Sequence, residues 1–138
     1  MQLRIAPTRL ISEVRQEFNE AFPFLKLEFF KNKVQQQPEN IINQVIPHNR
    51  RIGDCQKAII DGMIEINGQM KVKDLEKIFN DQYRLNAQVF RRSGNLWLQT
   101  TMTDDWTLQN QNEHGMEISR PLKTPFINEA DNSAAAYD

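Results

Sequence analysis

The sequence predicts an α+β domain: a ferredoxin-like βαββαβ sheet with both helices on one face, extended by a C-terminal hairpin and a short helix. Three observations carry that expectation. Residues 3–22 lie over residues 64–83 at a constant spacing of 61. Each of these stretches places a helical apolar pattern between alternating segments. Residues 84–113 then read as strand, tight turn, strand and capped helix.

The first unit opens with Leu3 and Ile5 alternating. Ile11, Val14, Phe18 and Phe22 follow at i, i+3, i+7 and i+11, one side of a helix. Pro23 ends that helix, and Leu25, Leu27 and Phe29 alternate as the second strand. The second unit repeats the order. Leu3 falls on Ile64, Ile5 on Ile66, Ile11 on Val72 and Val14 on Leu75. Phe18-Asn19-Glu20 falls on Phe79-Asn80-Asp81, and Phe22 on Tyr83. One residue later in register, Leu25 and Leu27 fall on Ala87 and Val89. The shared Phe-Asn-acid triplet at equal phase points to an internal βαβ duplication rather than to two unrelated amphipathic units.

Residues 32–61 form an insertion between the halves, longer than a simple connection. Gln35-Gln36-Gln37-Pro38 reads as loop, and residues 33–40 are expected to be mobile because nothing there is periodic and apolar. Ile41 to Ile46 is a short strand or helical turn stopped by Pro47. His48-Asn49-Arg50-Arg51 is expected to be exposed, and Asp61-Gly62 to be a turn.

The hairpin is expected to turn at Ser93-Gly94, where Gly tolerates positive φ. Arg92 then faces Asn95, Phe90 faces Trp97 and Val89 faces Leu98; a loop at Gly94-Asn95 would pair other residues. Ala87, Val89, Leu96 and Leu98 make an aliphatic core face, and Gln88, Phe90, Arg92, Trp97 and Gln99 make the opposite one. Thr103 or Asp104 is expected to cap the following helix, with Trp106, Leu108 and Met102 holding it to the body. Past Gly115 the pattern fades. Met116 and Ile118 suggest a short strand, and residues 128–138 a mobile acidic tail. The domain therefore spans 1–127.

A chain of 138 residues with one cysteine and a net charge of −1 has room for a core without disulfides and exerts no general pull on nucleic acid or anionic membrane. Cys55 alone fits a reducing compartment, no apolar run reaches membrane-spanning length, and charges in the first 20 residues break any secretory signal. The expected location is the cytoplasm.

No catalytic or cofactor constellation emerges. Cys55, His48 and His114 lack zinc spacing, and the five glycines are isolated. Asp104 and Asp105 suit a helix start better than a metal. A nucleophilic Cys55 would need contact with His48 or His114. Arg91 and Arg92 beside Phe90 and Trp97 resemble an aromatic-and-basic platform for single strands, yet the charge balance opposes it. The leading expectation is a non-enzymatic interaction or assembly module that binds a protein, or a second copy of itself, through Gln88, Phe90, Arg92 and Trp97. No cofactor or metal is expected.

Overall fold

The computed structural model describes residues 1–31 and 44–120. The expectations for residues 33–40 and 128–138 fall outside these. The chain is mixed α+β, with two antiparallel sheets and four α-helices among the described residues. The elements run β1 (Gln2–Ile5), α1 (Ile11–Ala21), β2 (Leu25–Phe30), α2 (Ile52–Cys55), β3 (Gly62–Glu65), α3 (Val72–Tyr83), β4 (Asn86–Ser93), β5 (Leu96–Gln99) and α4 (Leu108–Ser119). A 3₁₀ turn, Thr101–Thr103, precedes α4. No described helix is long and apolar enough to cross a membrane.

The expected apolar faces of both long helices are buried: Ile11, Val14, Phe18 and Phe22 on α1, and Val72, Leu75, Phe79 and Tyr83 on α3. Phe18 and Phe79 are both fully inaccessible to solvent. Phe29 of β2 meets Phe79 edge-on at 5.4 Å, an arrangement that aromatic quadrupoles favour. Gly62 opens β3 opposite Ile5 instead of turning, and Tyr83 fills the space its missing side chain leaves.

The sheet order departs from the single ferredoxin-like sheet. The strands divide into two sheets, and each strand of one unit lies antiparallel to its counterpart in the other. β1 lies antiparallel to β3 with Leu3 opposite Ile64, and β2 lies antiparallel to β4 with Leu27 opposite Val89. β5 then extends the second sheet in the order β2-β4-β5. The physical reason is at the outer edge of β2. Asn19 Nδ2 donates to Leu25 O at 2.8 Å, Arg15 Nε to Leu27 O at 2.9 Å and Ile46 N to Phe29 O at 2.8 Å. With its outward carbonyls taken, that edge offers no ladder to the β1–β3 pair, which stays a separate sheet.

The residues after β2 and after β5 bind the two units in matching ways. Ile11 N donates to Arg50 O and Ser12 N to His48 O, while Ile52 N donates to Arg9 O and Gly53 N to Pro7 O. Each bond has a counterpart, 61 residues on at the side of the long helix and 56 on at the other: Val72 N to Trp106 O, Lys73 N to Asp104 O, Leu108 N to Met70 O and Gln109 N to Gly68 O. Isolated bridges Leu10–Arg51 and Lys71–Thr107 stand at the same places. Thus α2 and the start of α4 occupy corresponding positions against the two units.

The hairpin turns one residue later than expected, at Gly94-Asn95. Ser93 pairs with Leu96, Arg92 with Trp97, Arg91 with Leu98 and Phe90 with Gln99. Gly94 has φ +62° and Asn95 does not share a positive φ, the pattern of a II′ turn with glycine at its first central position. Moving the loop by one residue slides the strands by a diagonal but leaves every side chain on its own face. Trp97 therefore faces Arg92, with Phe90 diagonal to it. The aliphatic face is only half core. Ala87 and Val89 are buried, whereas Leu96 and Leu98 are 65% and 41% exposed.

Thr107, not Thr103 or Asp104, caps the last helix: Asn110 N donates to its Oγ1 at 3.1 Å. The six residues before it form the 3₁₀ turn and its exit, and Met102 is 95% exposed rather than packed. The helix continues through Met116 and Ile118, where a strand was expected. Its buried side carries Leu108, Gln111 and Gly115, only one of them a large apolar residue. At Gly115 the helix passes so near Phe24 and Arg92 that a Cβ would stand 3.0 Å from Phe24 Cβ and 3.2 Å from Arg92 O. Glycine extends the helix here because it permits that approach.

Candidate functional site

The face opposite the core begins with the alternation of β2. Leu25, Leu27 and Phe29 point inward, which turns Lys26, Glu28 and Phe30 outward with Gln88 and Phe90 of β4 and Trp97 and Gln99 of β5. The four residues singled out from the sequence, Gln88, Phe90, Arg92 and Trp97, share this face. Arg92 is exposed, and Gln88, Phe90 and Trp97 are half-buried. No part of α4 is needed to place them; that helix packs at the far side, on Arg91 and Phe24.

Lys26, which the sequence reading did not include, is the centre of the arrangement. Its Nζ lies 5.5 Å from the Phe90 ring centroid and 5.1 Å from that of Trp97, so one ammonium is shared between two aromatic rings. Phe90 in turn stacks with Phe30 at 6.4 Å. The same Nζ is 3.3 Å from Glu28 Oε2. Glu28 is only 6% exposed, and its carboxylate also receives Arg15 Nη2 at 3.1 Å and faces His48 Nε2 at 2.9 Å. Burial of a carboxylate is tolerated here because several donors surround it. His48 is thereby tethered and half-buried, not free on the surface as expected. The signal for Lys26 and Glu28 was present as off-face residues of an alternating strand. Which sheet face they share depends on the register with β4, a long-range pairing.

A second feature lies on the opposite edge. Glu76 of α3 accepts Val89 N at 2.9 Å where β4 runs past the end of β5. Burial pushes its carboxyl up to about 7; the Val89 N–H acts against this, and the negative charge of Asp104 adds to it.

The basic-platform residues separate. Arg92 stays on the aromatic face, but Arg91 turns to the core side, donating to Gln111 Oε1 at 2.9 Å with its guanidinium 6.0 Å from the Trp106 ring. Cys55, His48 and His114 are not brought together by any described hydrogen bond. Cys55 Sγ contacts Arg51 O at 3.5 Å, His48 belongs to Glu28 and Arg15, and His114 packs edge-on against Trp106 at 5.4 Å. Burial pushes the Cys55 thiol up, and Asp54 adds to the shift against Arg50, the opposite of an activated nucleophile. Among the described residues no group of three His, Cys, Asp or Glu side chains is arranged to hold a metal ion.

The chain matches no protein-family model, no curated protein and no solved structure.

Proposed function

We propose that this chain is a non-enzymatic protein-interaction or assembly module that binds through the face of Gln88, Phe90, Arg92 and Trp97, with Lys26 at its centre. The observation that carries the reading is the Lys26 ammonium held between Phe90 and Trp97 on a face that stays partly accessible. A preorganised cation with aromatic walls loses little side-chain freedom on binding, and Trp and Arg are the residues most enriched at binding hot spots. The partner is another protein or a second copy of this chain, in the cytoplasm, where a lone thiol such as Cys55 stays reduced. We further read the molecule as a duplicated βαβ unit fused into one chain. Support comes from Leu3 opposite Ile64, Leu27 opposite Val89 and the matched main-chain bonds around both helix starts.

The test is Trp97→Ala combined with Arg92→Ala, followed by circular dichroism, sizing and capture from native lysate. The expected outcome is an intact fold with an assembly or a bound protein lost. Unchanged assembly and unchanged partners would reduce the face to a structural role. A nucleic-acid reading uses the same Lys26, Arg92, Phe90 and Trp97, and it is separable. It requires binding to oligonucleotides that weakens steeply with salt.

A further inference from the structure

Beside Lys26 the face runs into a hollow of about 420 Å³ bordered by Ser12, Arg15, Gln16, Asn19, Lys26 and Trp97. None of these six is acidic. Arg15 and Lys26 already reach one carboxylate, that of Glu28, at 3.1 and 3.3 Å. Two permanent cations sharing one anion leave a positive charge in excess, in a half-enclosed site where water screens it incompletely.

The second unit contains the same hollow. Lys73, Glu76, Lys77 and Asn80 line a space of about 380 Å³ and lie 61 residues after Ser12, Arg15, Gln16 and Asn19, while Gln88 lies 62 after Lys26. There the charges are reversed or cancelled. Glu76 stands for Arg15, Gln88 for Lys26, and Asp81 and Asp104 face Lys73 and Lys77. The second hollow is therefore an internal control: similar volume and matched helix positions, without the cationic excess.

We infer that the Arg15–Lys26 hollow takes a side-chain carboxylate from an acidic segment of a protein partner. The inference rests on the reading of the adjoining face as protein-binding. The chemistry favours a carboxylate over a phosphate on two counts. One uncompensated positive charge matches a single negative charge. Glu28 also demonstrates that Arg15 donates to a carboxylate, and that Lys26 forms an ion pair with it, in the geometry they hold. Trp97 supplies an apolar wall for the methylene stem of a glutamate, and Ser12, Gln16 and Asn19 supply neutral polar groups at the rim.

The experiment titrates the full chain with N-acetylated hexaglutamate and, in parallel, hexathymidylate, following backbone amides and the Trp97 indole N–H by NMR. Hexaglutamate is expected to shift Ser12, Gln16, Asn19, Lys26 and Trp97. Lys26→Gln is expected to weaken it about tenfold, the scale of one charged hydrogen bond. Lys73→Gln in the second hollow is expected to change it by less than about twofold. Ser12→Glu, at the rim of the hollow, is expected to block binding with the fold retained, and it serves should Lys26→Gln not fold. Shifts that are absent, spread over the surface or centred on Lys73, or tighter binding of hexathymidylate, overturn the inference. If hexaglutamate fails while Trp97→Ala with Arg92→Ala still abolishes partner capture, the face stands and only its carboxylate chemistry falls.

Discussion

Arg15 and Glu76 stand at matched places on α1 and α3, and both reach around a strand edge to the main chain of a matched residue. Arg15 Nε donates to Leu27 O at 2.9 Å, whereas Glu76 accepts from Val89 N at 2.9 Å. The frame is the same and the polarity is inverted. The cause is what remains free at each edge. In the second unit Thr100 already takes Val89 O through its hydroxyl at 2.8 Å, so the group left over is an N–H and needs an acceptor. In the first unit the group that the helix side chain reaches is a carbonyl, which needs a donor. Arg15 then has guanidinium nitrogens to spare and gathers Glu28 and His48, which builds the charged cluster under Lys26. Glu76 has only a partly neutral carboxyl and gathers nothing comparable. The Arg15-to-Glu76 exchange, together with Gln88 in place of Lys26, thus separates a cationic hollow from a mixed one.

The strongest test of the equivalence is in the core. Phe18→Ala and Phe79→Ala remove rings that are both fully buried, and each is expected to cost about 3–5 kcal/mol by urea denaturation. A loss below about 1 kcal/mol at one of them, with the full loss at the other, would break the correspondence of the two helices.

That correspondence was legible in the sequence to the extent that side chains carry it. The periodic positions Ile11 to Phe22 and Val72 to Tyr83, and the strands Leu25–Phe29 and Ala87–Val89, announce themselves by apolar spacing. The trailing segments did not. Residues 46–55 and 102–111 match through main-chain hydrogen bonds, which any side chain can accompany, so His48 meets Asp104 and Arg50 meets Trp106 without sequence likeness. The length of the last helix was hidden for a related reason, because Gln111 and Gly115 occupy buried positions where apolar residues would have shown the period. For the candidate site, Gln88, Phe90, Arg92 and Trp97 were placed on one face despite the slipped turn, since the slip preserves parity. Lys26, Glu28 and Arg15 join them only through the β2–β4 pairing, which no local pattern encodes.

The charged cluster comes next in size. Glu28→Gln removes the anion that Arg15, Lys26 and His48 share, and it is expected to destabilise the fold by about 2 kcal/mol. The value lies below that of a fully buried pair because both Arg15 and Lys26 are 22% exposed. The same measurement, taken by thermal unfolding at neutral pH, sharpens the contrast with Glu76→Gln. That substitution keeps a carbonyl acceptor for Val89 N and removes an unfavourably buried charge. A loss at Glu76 as large as that at Glu28 would erase the difference between the two edges.

The Glu76 contrast depends on pH, and its sign follows from the raised pKa. Its carboxyl titrates at about 7 in the fold against an ordinary value of 4.5. Between those values the folded state binds a proton that the unfolded state has released, so stability falls as pH rises and the loss is complete above about 7. Relative to the native chain, Glu76→Gln is expected to be roughly neutral below pH 4.5 and to gain about 1–2 kcal/mol at pH 8. Thermal melts of both proteins across this range check it. A gain that is constant with pH would mean that Glu76 is not protonated in the fold.

The smallest expected effect compares the one polar position that is identical in the two units, Asn19 and Asn80. Asn19 Nδ2 donates to Leu25 O at 2.8 Å and lies 3.3 Å from Pro23 O, and it is half-buried. Asn80 is exposed, and its amide reaches only Asn86 Oδ1, at 3.3 Å. Leu25 O faces outward from the β2–β4 ladder, so removing its donor leaves a carbonyl at a partly covered edge. Asn19→Ala is therefore expected to cost about 1 kcal/mol. Asn80→Ala leaves a solvated side-chain amide with water as its alternative partner, and it is expected to cost less than about 0.5 kcal/mol. Identical residues at identical helix phase would then differ in worth because one closes a strand edge and the other does not. Equal losses in urea denaturation would show that Asn19 acts through helix propensity alone, and the side-chain closure of the β2 edge would no longer explain why the β1–β3 pair stays a separate sheet.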